Sequence, residues 1–114
     1  MAGSGIKATT QLTSGAIGTY TLLYTVPAGN YGVYNISFSN SGATPANIRL
    51  FIGASTAAVS GQVASECFEF QTSVAAYGVF ERTGLVIQAG ANIIISSSGT
   101  TMNANIYGIE TSTT

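Results

Sequence analysis

The sequence contains no histidine, no aspartate and no tryptophan, and its only cysteine is Cys67. Each absence removes a class of chemistry. Without histidine a hydrolytic triad lacks its usual base. One cysteine and no histidine cannot close a structural zinc site, and no acidic loop supplies the carboxylate oxygens that calcium takes. A lone cysteine forms no intrachain disulfide, so the thiol count does not fix the redox compartment. Charge is scarce as well, at 6% of residues against roughly a quarter in an average domain. Lys7, Arg49 and Arg82 are the bases; Glu66, Glu69, Glu81 and Glu110 are the acids. Three scattered bases cannot neutralise a phosphate track or form a polybasic membrane patch, so neither nucleic acid nor membrane is an expected partner.

What is present is a chain of 114 residues, 46% hydrophobic, which suits one domain with its own core. Its polarity comes from Ser, Thr, Asn, Gln and Gly, which gives little electrostatic protection against self-association. A hydroxyl-rich soluble domain fits that surface. A surface partly covered by neighbouring subunits fits it better, and is the expectation here. The opening run Met1–Lys7 has no continuous apolar stretch, so no secretory leader is expected. No window has the length and apolarity of a membrane-spanning helix.

Alternation of period two recurs along the chain. Residues 1–18 are Gly-, Ser- and Thr-rich and read as an extended N-terminal arm, with an edge strand around Thr9–Thr13 as the other reading. Tyr20–Val26 is the first strand. Pro27 ends its ladder and Gly29 completes a turn. The next strand places Tyr34, Ile36 and Phe38 on one side and Val33, Asn35, Ser37 and Ser39 on the other. Ala46–Ile52 follows with Ile48, Leu50 and Ile52 facing in, after a loop set by Ser41-Gly42 and Pro45. Gly53–Gly61 reads as a long exposed loop, and Val63–Phe70 as a strand with Phe68 and Phe70 on its apolar face and Glu69 opposite. Tyr77–Arg82 and Leu85–Ile87 are strand pieces separated at Gly84. Asn92–Ser97 and Met102–Glu110 complete the set, and 111–114 reads as a loose tail.

No stretch sustains a helical period. Seven or eight short strands with frequent turn signals predict an all-β, antiparallel two-sheet β-sandwich, jelly-roll-like, over residues 19–110. Leu23–Asn30 and Leu85–Asn92 echo one another, which suggests two similar hairpins, one in each sheet.

Groups able to carry chemistry are few. There is no G-x-S-x-G elbow, P-loop or dinucleotide fingerprint, and no cofactor is expected. Cys67 lies between Glu66 and Glu69, whose charge disfavours a thiolate. Glu66, Glu69 and Glu81 have no spacing that defines a glycosidase pair. The sequon at Asn35 falls mid-strand, where a glycan has no place. Arg49 and Arg82 suit ion pairs with glutamates or, since arginine is enriched at interfaces, contacts between subunits.

Several segments taken in order carry a resemblance: Leu23–Gly29 with its Val-Pro-Ala-Gly turn, Val33–Asn40, Ile48–Ile52, Tyr77–Gly84 with its Glu81-Arg82-Thr83-Gly84, and Asn105–Glu110. Together they resemble small virion structural proteins of tailed bacteriophages, notably those of cyanophages. That resemblance implies a non-enzymatic virion protein. The expected role is a capsid decoration (cement) protein acting on the major capsid protein or another virion protein, as a homo-oligomer with a trimer favoured. A tail, baseplate or fibre component touching host glycans is the alternative. The contact residues it suggests are Ile6, Lys7 and Leu12 in the arm, Asn30 and Tyr31 beside the turn, and Arg49 and Arg82.

Overall fold

The structure, a computed structural model, describes residues 3–53 and 66–112. They form eight strands: β1 (Gly3–Leu12), β2 (Thr21–Thr25), β3 (Asn30–Asn40), β4 (Ala46–Gly53), β5 (Cys67–Val74), β6 (Val79–Ile87), β7 (Asn92–Ser97) and β8 (Met102–Ser112). Two four-stranded antiparallel sheets result. Sheet A runs β1-β8-β3-β6 and sheet B runs β2-β7-β4-β5. β1 pairs with β8, β2 with β7, β3 with β6 and β4 with β5, so the chain is one long two-ply ribbon. Rolling it brings β8 beside β3 and β7 beside β4, which closes each sheet. This is a jelly roll, the two-sheet sandwich that the alternation predicted.

The core lies between the sheets. Tyr34, Ile36 and Phe38 from β3 meet Ile48, Leu50 and Ile52 from β4 there, with Ile93 and Ile95 from β7 and Met102, Ala104 and Ile106 from β8. The inward sets of β3, β4 and β8 are the alternating residues read from the sequence. Each β-branched or aromatic side chain fits the pleat and removes apolar area from water, at roughly 25 cal/mol per Å².

The echo between Leu23–Asn30 and Leu85–Asn92 has a different meaning from two hairpins. β2 lies in sheet B and β3 in sheet A, while β6 lies in sheet A and β7 in sheet B. Both turns are therefore corners where the ribbon crosses between sheets, and they lie side by side. Val26 N donates to Ala91 O at 3.0 Å, and Gly90 N donates to Val26 O at 2.9 Å. Asn30 N closes one turn on Pro27 O and Ala91 N closes the other on Gln88 O. Gly29 and Gly90 hold the third position of these turns at φ 84° and 81°, a region in which a β-carbon is strained.

Three boundaries and the facing of one strand differ from the sequence expectation. Residues 3–12, read as an arm, are strand β1, paired with β8 from Gly3↔Glu110 to Leu12↔Met102; the edge strand read only around Thr9–Thr13 thus begins at Gly3 and ends at Leu12. The tail is also drawn in, because Thr111 and Ser112 pair with Tyr31 and Asn30. Gly84 does not separate two pieces. It lies in a bulge of the single strand β6, at φ 70°, with its N–H donating to Asn35 Oδ1 at 2.9 Å. On β5 the aromatic face points out, not in: Glu69 pairs with inward-facing Leu50 and Phe70 with outward-facing Arg49. The exposed loop expected over Gly53–Gly61 and the start of a strand at Val63 lie, after Gly53, outside the described residues.

Candidate interaction surfaces

A buried polar knot fixes the edge of sheet A. At Lys7 the register of β1 against β8 slips by one residue, a bulge that re-aims the side chain. Lys7 Nζ thereby lies 3.5 Å from Glu110 Oε1, and both side chains are largely buried. The other carboxylate oxygen, Oε2, accepts hydrogen bonds from the Tyr34 hydroxyl at 2.7 Å and from the Tyr24 hydroxyl. Tyr24 belongs to sheet B, so this single carboxylate ties β1, β8 and β3 to β2 across the core.

Two glycines make room for the knot. A β-carbon on Gly32 would come within 2.6 Å of the Tyr34 hydroxyl oxygen, and one on Gly108 would overlap the Val33 carbonyl oxygen. Burial works to raise the Glu110 pKa, but the two tyrosine hydroxyls and the Lys7 ammonium outweigh it and hold the carboxyl below its ordinary value. Tyr24 is pushed up to about 12 by burial, then by the hydrogen bond and charge of Glu110. Tyr34 is pushed up for the same reasons, with Tyr24 adding to them.

A phenol whose folded pKa is raised contributes stability that is complete below its ordinary value of 10.0 and is lost as pH climbs toward about 12. In a spectrophotometric titration, Tyr24 and Tyr34 are expected to give phenolate absorbance only together with unfolding. Reversible ionisation of every tyrosine near the ordinary phenol value, with circular dichroism unchanged, would show that the knot does not exist.

The outward faces of the two sheets are unlike. On sheet B, outward-facing Phe51 and Ile94 are buried. The Tyr20 ring lies edge-on to Phe51, with centroids 5.7 Å apart, and the Tyr20 hydroxyl accepts from Arg49 Nη1 at 2.8 Å. The Arg49 guanidinium also lies over the Phe70 ring, 4.1 Å from its centroid. On sheet A, Val33 stands between Val86 on β6 and Ile109 on β8 in register. These three are 46%, 72% and 61% exposed. Ile6 and Tyr31 extend the strip and are exposed too. Toward the other end of the same face the side chains become Asn35, Ser37, Ser39, Asn103 and Asn105. Glu81 is the carboxylate on that face, and it accepts from the Tyr107 hydroxyl.

The contact residues expected from the sequence scatter across these features. Ile6 and Tyr31 lie on the exposed strip of sheet A. Lys7 is committed to Glu110. Leu12, 4% exposed, belongs to the core and cannot be a contact, because the last turn of β1 alternation points it between the sheets. Asn30 is buried at the start of β3. Arg82 is paired with Glu69 where β5 meets β6, as the ion-pair reading expects, and Arg49 is held by Tyr20 and Gln71.

Val33, Val86 and Ile109 were not among the candidates, yet the sequence carried a signal for two of them. Val33 shares a side with Asn35, Ser37 and Ser39, and Ile109 with Asn103, Asn105 and Tyr107, so each is an apolar residue on a water-facing side.

Two of the acids lie on different sheets with different partners. Glu69 faces the interior edge, where it accepts from Arg82 and from Thr72 Oγ1, whereas Glu81 faces out on the other sheet. Burial pushes the Cys67 thiol up, Glu69 adds to this and Arg49 opposes it. Among the described residues no group of three or more His, Cys, Asp or Glu could hold a metal ion.

No protein-family model matches the chain, and no curated protein matches it. Among solved structures, the chain is similar to part of a chain in the structure of infectious bursal disease virus, Gx strain. The TM-score is 0.43 and the identity 11%, over 99% of this chain. The match spans 32% of that viral chain, about a third of its length.

Proposed function

We propose that this protein is a non-enzymatic structural component of a virion whose sheet A face is buried against a neighbouring subunit. The observation that carries the reading is the Val86–Val33–Ile109 row. It is a solvent-facing apolar strip on a sheet face whose carboxylate is Glu81, and soluble monomers seldom leave such a strip uncovered. The jelly roll suits the role, since closed two-sheet sandwiches of this kind build viral shells and lectins. The ordered set of phage-like segments supports a tailed-phage context. Within that context the finer reading is a capsid decoration protein. Its copies associate, as a trimer, and reinforce contacts between subunits of the major capsid protein. The mechanism is burial of area without turnover.

The test combines light scattering with co-sedimentation on undecorated phage heads and on isolated tails. The wild-type protein is expected to be oligomeric and to sediment with heads. Replacing Val86 and Ile109 together by lysine is expected to abolish association, because two buried ammonium groups have no partner there. Each site is exposed in the single chain, so stability should change by less than about 0.5 kcal/mol per site. Sedimentation with tails alone would transfer the assignment to a tail component. A monomer that binds neither particle would overturn both.

A further inference from the structure

The far end of the sandwich from the Pro27 corner holds a crevice of about 240 Å³ between the β3–β4 and β7–β8 corners. Thr44, Ser98, Thr100 and Thr101 line it, with Ala43 and Pro45 supplying apolar surface, and the Ser98 hydroxyl accepts from Asn47 N at 2.8 Å. Its walls are held by Asn40, which is buried. Asn40 Nδ2 donates to Thr44 O at 2.8 Å, and Asn40 Oδ1 accepts from Gly42 N at 3.0 Å and from Thr101 Oγ1 at 2.8 Å. One side chain thus braces both loops, so the cleft exists before any ligand arrives.

The adjoining β5–β6 corner carries an anomaly. Ala75–Gly78 is a tight turn, closed by Gly78 N donating to Ala75 O at 2.9 Å. Its third residue is Tyr77, at φ 57°, a position where glycine or asparagine is at ease and a bulky residue is strained. Packing does not compensate the strain, since Tyr77 is 73% exposed. Its backbone is nevertheless fixed beside the crevice, with Tyr77 N donating to Gly42 O at 3.1 Å. An exposed aromatic held in an unfavourable conformation, next to a braced cleft, is the pattern of strain kept for a purpose.

We infer that this end is a binding site for a neutral saccharide, with Tyr77 as the stacking face and the hydroxyls of Thr44 and Thr100 as the main hydrogen-bond partners. Hydroxyls both donate and accept, as sugar hydroxyls do, and an aromatic ring covers the apolar face of a pyranose. None of the three corners carries a charged side chain (residues 41–46, 75–78 and 98–101), which disfavours anionic ligands and favours uncharged ones. The site lies away from the Val86–Val33–Ile109 strip and stands whether or not that strip meets another subunit.

Saturation-transfer NMR on the full chain with glucose, galactose, mannose and N-acetylglucosamine tests the assignment. Transfer to at least one of these sugars is expected. Tyr77→Phe should retain it, whereas Tyr77→Gly should weaken it by about tenfold while raising the melting temperature by relieving the backbone. Thr44→Val, which removes a lining hydroxyl and keeps the shape, should weaken transfer without lowering the melting temperature. No transfer from any of the four sugars would overturn the proposal. Transfer indifferent to both Tyr77→Gly and Thr44→Val would overturn it equally, and either result would leave the head and tail sedimentation outcome untouched.

Discussion

Replacing Glu110 with alanine is expected to cost about 3–5 kcal/mol, the range for removing one member of a buried ion pair. The carboxylate is 6% exposed and serves three partners from three other strands. Without it the Lys7 ammonium is left in a largely buried position, and the Tyr24 and Tyr34 hydroxyls lose their acceptor. An unpaired buried polar group costs about 1–3 kcal/mol by itself, so the sum is a large share of the stability of a domain this size. Lys7→Met should cost less, about 1 kcal/mol, since Glu110 keeps both tyrosine donors and the aliphatic stem is replaced in kind. Urea denaturation measures both variants. In Glu110→Ala the β1 amides should lose hydrogen-exchange protection first, because β1 is an edge strand whose side-chain anchor has been cut.

The same carboxylate sets the acid limb of stability. Its folded pKa lies below its unfolded value, so its contribution is present above that unfolded value, about 4.5, and disappears as pH falls through the folded one. Wild-type stability should therefore fall on acidification below about pH 4.5, and Glu110→Gln should flatten that limb. A Glu110→Ala protein within about 0.5 kcal/mol of wild type would remove the knot from any account of the fold.

Gly108→Ala is expected to be at least as damaging. Gly108 sits in β8 at the centre of sheet A, paired with Tyr34 on one side and Gly5 on the other. Its missing β-carbon would overlap the Val33 carbonyl oxygen and lie 2.9 Å from Tyr34 Cα. Both obstacles are backbone, which has no rotamer to change, so β8 and β3 must part where sheet A is joined. A clash in the middle of a sheet belongs with overpacking and backbone strain, on the order of 3 kcal/mol or more. Thermal unfolding followed by circular dichroism reads the loss. Gly18→Ala is the control, because a β-carbon there meets nothing within 4 Å, and its melting temperature should stay near that of wild type. Equal behaviour of the two variants would mean that β3 and β8 do not approach as closely as described.

Much of this architecture can be read from residue order. Where a strand is regular, alternation is enough: Tyr34-Ile36-Phe38, Ile48-Leu50-Ile52 and Met102-Ala104-Ile106 face inward in the structure as in the pattern. Alternation fails at bulges, because one extra residue transfers every later side chain to the other face. In β2 the register slips between Leu22 and Tyr24, which sends Leu23 into the core and leaves Leu22 exposed. In β5 two slips turn Phe68 and Phe70 outward and Glu69 inward. The N-terminal residues looked like an arm for a related reason. Most of their side chains are small or polar, so β1 shows little pattern of its own, and it is held by backbone pairing to β8, by Ala8 and Leu12 against the core and by the pair Lys7–Glu110.

Composition and a local period of two are enough for the all-β class, the two-sheet sandwich, most of the core and the scarcity of catalytic groups. Long-range packing is what brings Lys7 and Glu110, 103 positions apart (110 minus 7), into one buried site with two tyrosines. It also decided that Val33, Val86 and Ile109 stand in one row, and that Tyr77 borders a crevice braced by Asn40. Each of these depends on strands distant in the chain becoming neighbours in a sheet, and strand order and register are long-range properties that no local period encodes.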